Sequence, residues 1–127
     1  MNSEELKKRT KSFAIRVINL VDRLPESRAT NAIAGRIVRS GTSVGANYRA
    51  ACRAKSRADF ISKLGNVEEE CDETLYWMEL LVASKKVKAP LVSGLMHEAG
   101  ELLAITVSSI NTARANKNSQ SAIRNHQ

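Results

Sequence analysis

The chain has 127 residues, 43% of them hydrophobic and 4% aromatic, with two prolines, six glycines and a net charge of +7. That length suits one modest core, and the scarcity of aromatic and turn-forming residues disfavours a β-sandwich or barrel. The apolar stretches fall short of the ~20 residues of a membrane span, and the polar start MNSEELKKRT lacks the apolar core of a signal peptide, so no membrane and a cytoplasmic location are expected.

A first helix is predicted from Ser3 to Leu24. Asn2 or Ser3 can cap it, Glu4 and Glu5 suit the positive end of its dipole, and Pro25 ends it. Its inner stripe is Leu6, Phe13, Val17, Leu20, Val21 and Leu24. A second helix runs from Arg28 or Thr30 to Ala54, with Ser27 or Thr30 as cap and Ile33, Ile37, Ser40, Val44, Tyr48 and Ala51 facing inward. That spacing passes unbroken through SGTSVGANYRAAC (Ser40 to Cys52), which therefore reads as helix even though each glycine costs about 1 kcal/mol against alanine. Close approach of a neighbouring helix is the natural compensation.

The third helix begins after Ser56, where SRAD resembles a capping box with Asp59 in place of Glu, and runs to Ser84. Phe60, Leu64, Val67, Cys71, Leu75, Met78 and Val82 form its stripe. The fourth starts near Pro90, a favoured first-turn position, and ends near Ala115, with Leu91, Leu95, Ala99, Leu102, Thr106 and Ala113 inward. The fold expected is all-α, an up-down-up-down antiparallel four-helix bundle over residues 1–115, followed by a polar, flexible tail over residues 116–127.

Charge is uneven along the chain. Met1 to Arg57 holds 13 Lys/Arg against 4 Asp/Glu, whereas Ala58 onward holds 7 against 9. At 100° per residue, Arg28, Arg39, Arg49 and Arg53 fall roughly 160° to 240° from Ile33, opposite the core stripe. With Lys55 and Arg57 at the turn they form a basic ridge, and Lys7, Lys8, Arg9 and Lys11 form a second patch. Such ridges bind the phosphates of RNA or DNA with little regard to sequence. No row of aromatics accompanies them, so base stacking is not indicated.

Two further sets of residues have structural readings. Ile15 and Ile18 on the first helix, and Tyr76, Leu80 and Val87 on the third, lie off the inner stripes and suggest a subunit interface. Two different apolar faces can pair head to tail and close into a ring. The acidic run EEECDE (Glu68 to Glu73) falls beside the second helix once the hairpin is folded about Lys55, so Arg36 and Arg39 are expected to form ion pairs with Glu70 and Glu73.

Catalytic and metal sites are not indicated. Gly45 is followed by Ala46 and Asn47 rather than the Lys and Ser/Thr of a phosphate-binding loop. HEAGE (His97 to Glu101) lacks the second histidine of a zinc protease, and no histidine follows a Glu by three residues as a di-iron bundle requires. The carboxylates of EEECDE have no nucleophile or histidine beside them. Cys52 near the turn and Cys71 about 18 Å further along a helix are too far apart for a disulfide. No cofactor is expected.

The stretch RSGTSVGANYRAACRAKSRADFISKLGNVEEECDETLYWMELL, with SGTSVGANYR, DFISKLG and ET-L-YW-M-ELL within it, resembles the signature of the four-helix bundle proteins named for the intervening sequences of bacterial 23S ribosomal RNA genes. The resemblance implies a small cytosolic protein that assembles as a homopentamer and belongs to a family without an established activity. It also implies likeness to the accessory variability protein of diversity-generating retroelements, a basic pentamer that associates with nucleic acid and a reverse transcriptase. One position departs from the pattern: the family usually has Glu after NYR, and this chain has Ala50. The reading from sequence is a non-enzymatic homo-oligomer that binds nucleic-acid backbone; the alternative is a scaffold or adaptor for another protein.

Overall fold

The computed structural model describes the backbone of residues 1–125 and the side chains of residues 1–116. Four helices account for it: α1 (Ser3–Asp22), α2 (Arg28–Cys52), α3 (Arg57–Ala83) and α4 (Ala89–Asn125). Short loops join them, each helix packs on the next, and α4 returns against α1, while the backbones of α1 and α3 stay apart across the core. The result is an all-α, antiparallel four-helix bundle with no strand among the described residues.

The helix starts follow from side-chain capping. Asn2 Oδ1 accepts the Glu5 N–H at 2.9 Å, Ser27 Oγ that of Thr30 at 3.1 Å, and Ser56 Oγ that of Asp59 at 3.0 Å. The box at SRAD closes one residue early: Asp59 Oδ2 accepts the N–H of Lys55, not of Ser56. α1 stops at Asp22 rather than Leu24, because a residue before proline is pushed out of helical backbone. α4 continues to Asn125, past the expected end at Ala115, and no Gly or Pro interrupts residues 116–125. The flexibility expected of the tail concerns residues that lie largely outside the described side chains.

At the other end of α3 the chain turns sharply. Lys85 has φ 61°, its N–H donates to Val82 O, and Lys86 N–H donates to Leu81 O at 3.0 Å. This is a left-handed helix stop of the kind glycine normally occupies.

The core is built from Phe13, Val17, Ile37, Val44, Leu64, Met78, Leu81 and Leu102, all essentially closed to solvent. Several stripes are shifted slightly from the sequence expectation. Thr10 joins α1, Thr30, Ala34 and Gly41 join α2, Thr74 and Leu81 join α3, and Val92 and Ile110 join α4. Ile33, Phe60, Leu75, Val82 and Leu91 move to the margin, where they still pack on the core. α3 shows why: it is wedged against both α2 and α4, so its buried face is set by two partners rather than by the centre of its own apolar stripe.

The α1–α2 seam explains SGTSVGANYRAAC. α2 is unbroken through it, and both glycines lie against α1. A Cβ added at Gly41 would lie 2.8 Å from Val17 Cγ1, and one at Gly45 would lie 3.2 Å from Thr10 Oγ1 and 3.4 Å from its carbonyl carbon. Close helix packing is what these positions require, and it offsets their poor helix propensity. Across the α2–α3 seam, the fully buried hydroxyls of Ser40 and Thr74 hydrogen-bond at 2.8 Å, with the carbonyls of Arg36 and Glu70 as the other partners.

Candidate nucleic-acid interface and subunit contacts

The narrow α1–α2 seam brings cations of two helices together. A groove of about 380 Å³ lies over Gly45 and Ala46, flanked by Lys7 and Lys11 of α1 and Arg49 of α2, with Thr10, Ala14 and Thr42 completing its walls. Because Gly45 and Ala46 carry little or no side chain, the floor is low and the longer basic side chains stand at its edges. Lys7 is 3.1 Å from Glu4. Lys11 and Arg49 are exposed and form no ion pair among the described residues. Arg53 continues the strip one turn beyond Arg49, and Lys8 is exposed on the outward side of α1.

The other cations of the sequence reading are distributed differently. Arg28 is exposed at the opposite end of α2, about 37 Å from Arg53 along the helix. Lys55 sits in the α2–α3 turn, and Arg57 lines a separate hollow with Phe60, Ser108, Ser109 and Thr112. Arg9 turns away from the groove towards α4. Its Nε and Nη2 donate to Glu98 at 2.8 and 2.7 Å, and Nη2 also contacts Glu101. The Arg9 hydrogen bond holds the Glu98 carboxyl below the usual range. Arg39 turns towards α3, with Nη2 2.5 Å from Glu73 and Nη1 3.5 Å from Glu70. Hydrogen bonds from Arg39, and secondarily from Trp77, lower the Glu73 carboxyl likewise. Both arginines therefore already face carboxylates of this chain. Arg36 stacks over the Trp77 ring instead, 5.8 Å from its centroid.

Halving the chain by net charge concealed one basic segment. Lys85, Lys86 and Lys88 belong to the acidic half, yet the antiparallel topology returns them to the same end of the bundle as Arg23 and Arg28. A count by helix end rather than by half-chain would have found them.

The apolar set also divides. Ile15, Ile18 and Tyr76 are 51%, 45% and 54% exposed. Leu80 is half-buried, whereas Val87 lies beyond the end of α3 and packs onto the core, so it is not part of an exposed α3 face. Tyr76 meets Trp77 edge to face with ring centroids 5.1 Å apart, and Trp77 Nε1 donates to Glu73 Oε1 at 3.2 Å. α1 and α3 stand diagonally across the bundle, so these patches lie on opposite sides.

His97 pairs with Glu101 at 2.8 Å on an exposed face of α4. Among the described residues no three His, Cys, Asp or Glu side chains converge on a metal position, and no helix is long and apolar enough to cross a membrane. Cys52 and Cys71 are both free thiols.

Comparison with other proteins agrees with this geometry. No curated protein matches the chain. A solved structure from Bacteroides thetaiotaomicron VPI-5482, a protein of unknown function from the S23 ribosomal protein family, superposes with a TM-score of 0.80 at 35% identity, covering 87% of this chain and 99% of that one. The pattern of the 23S rRNA-intervening sequence proteins matches residues 3–108, from the first turn of α1 well into α4. The chain belongs to the 23S rRNA-intervening sequence protein family.

Proposed function

We propose that this protein is a non-enzymatic, cytoplasmic homo-oligomer that binds the phosphate backbone of RNA or DNA. The convergence of Lys7, Lys11 and Arg49 on one groove carries this reading, because two of these cations have no carboxylate partner among the described residues. Lys8 and Arg53 extend the strip, with Lys55 and Arg57 at its turn and Arg28 as a distant contact. Their role is phosphate neutralisation, which is independent of base sequence. Arg9 and Arg39 are secondary on this reading, since each gives its charge first to carboxylates of the same chain.

Self-association supplies the avidity that scattered phosphate contacts need. Ile15 and Ile18 of one protomer meet Tyr76 and Leu80 of the next, and the opposed placement of the two patches favours head-to-tail closure into a ring over a two-fold dimer. On the resemblance noted above the ring is a pentamer. Gel-shift titration at two salt concentrations tests the binding: it should weaken steeply with salt, and binding that is absent at low salt or indifferent to salt overturns it. Light scattering tests the ring, which at five copies of a 13.9 kDa chain has a mass of about 70 kDa.

The stacking of Arg36 on Trp77 favours a second reading, since these residue types dominate protein-docking hot spots. On that reading the ring is an adaptor for a protein such as a reverse transcriptase. Capture of a protein partner that survives nuclease treatment separates it from the first.

A further inference from the structure

Arg9, Arg16 and Arg23 repeat every seven residues along the edge of α1 that faces α4. The first is answered by Glu98 and Glu101. The other two are not. Neither Arg16 nor Arg23 forms an ion pair among the described residues, and Glu98, the carboxylate whose acidity Arg16 also influences, is already held by two hydrogen bonds from Arg9.

Beyond Glu98, towards the start of α4, no carboxylate lines the space beside the second and third arginines. A notch of about 310 Å³ opens there between the C-terminal half of α1 and the first turns of α4. Arg16, Asn19 and Arg23 form its polar wall, and Pro90, Leu91 and Gly94 form the wall opposite. A Cβ built at Gly94 would lie 3.4 Å from Arg16 Nη2, so the guanidinium reaches across the notch to the α4 backbone. Asn19 lies one turn from each arginine, which places an amide between two cationic forks.

The surroundings add positive charge. Lys88 lies two residues before Pro90, and the first turn of α4 contributes no acidic side chain. Lys85 occupies the left-handed turn position nearby in sequence, where glycine would be the relaxed choice. Arginine forks matched to tetrahedral oxyanions are the preferred protein ligands for phosphate.

We propose that the α1–α4 notch is a phosphate-binding site, in which Arg16 and Arg23 chelate a tetrahedral phosphate group and Asn19 donates a further hydrogen bond. The site is separate from the α1–α2 strip and does not depend on that strip's binding nucleic acid. Free phosphate and the terminal phosphate of a nucleic-acid strand present the same chemistry to it.

The test is a titration of the full-length protein with inorganic phosphate at constant ionic strength, followed by amide resonances in ¹⁵N–¹H correlation spectra. Saturable shifts are expected at Asn19 and Gly94. R16Q and R23Q should each weaken the fitted affinity by about tenfold, and R16K/R23K should retain part of it. Thermal unfolding of each variant checks that the fold is intact. A second titration compares an oligonucleotide carrying a 5′-phosphate with its 5′-hydroxyl counterpart. A preference for the phosphorylated strand that disappears in R16Q/R23Q assigns the terminal phosphate as the source. Equal binding of the two strands, with the inorganic phosphate shifts retained, assigns the free anion. Shifts that stay linear and unsaturated in the wild type, or that are the same in folded R16Q/R23Q, overturn the proposal.

Discussion

Replacing Gly41 with alanine should destabilise the protein, although alanine is the better helix former. The same replacement at Gly35, on the same helix, should stabilise it. At Gly35 nothing lies within 4 Å of an added Cβ and the residue is exposed, so only the propensity gain of about 1 kcal/mol remains. At Gly41 the new methyl would sit 2.8 and 2.9 Å from the two Cγ atoms of Val17. A relaxed carbon pair needs about 3.5–4.0 Å, so the helices must part by most of an ångström there. Val17 cannot rotate aside easily, because a β-branched side chain in a helix has essentially one rotamer, and this one is fully buried. Overpacking of this kind costs about 1–3 kcal/mol, which the propensity gain reduces to a net loss of about 1 kcal/mol. G41A and G35A should therefore differ by about 2 kcal/mol in urea unfolding at one fixed protein concentration. G41A as stable as G35A would refute the close approach of α1 and α2, and with it the geometry of the groove beside Gly45.

Three further outcomes follow from the packing and the charges. Lys85→Gly should raise stability by about 1 kcal/mol in the same unfolding assay, whereas Lys85→Ala should not, since the left-handed backbone disfavours any Cβ. Burial pushes the Cys71 thiol up to about 12, helped by Glu70 and Asp72, so a thiol reagent at mildly alkaline pH should label Cys52 in the native protein and reach Cys71 only in denaturant. The carboxyls of Glu73 and Glu98 are lower in the folded chain than in the unfolded one. Each then adds stability that is complete above the ordinary glutamate value of about 4.3 and is lost as pH falls through the lower folded value. Unfolding midpoints should therefore decline on acidification with a shallower slope in E98Q than in the wild type, and an unchanged slope would show that Arg9 does not hold Glu98.

The four helices were legible because Phe13, Val17, Ile37, Val44, Leu64 and Met78 keep an unbroken helical period, and because Ser27 and Ser56 mark two starts. Thr10, Thr30 and Thr74 escaped, although the period placed the hydroxyl residues Ser40 and Thr106 inward. Thr10 and Thr74 enter the core by donating to carbonyls of their own helices, Lys7 O and Glu70 O. The period also placed Arg28, Arg39, Arg49 and Arg53 away from the core without saying which neighbour each would meet. Arg39 stands at the edge turned to α3 and finds Glu73, while Arg49 stands at the edge turned to α1 and shares a groove with Lys11. Arg16 and Arg23 were invisible as a pair because their significance lies in what α4 lacks opposite them.

The groove at Lys11 and Arg49 is tested most directly by the salt dependence of single-strand binding in the wild type and in K11Q/R49Q. A plot of log affinity against log salt should be about 1.4 units less steep in the variant, the contribution of two phosphate contacts on a single strand. Identical slopes for two folded proteins would show that these side chains do not neutralise phosphate, and would contradict the proposed interface.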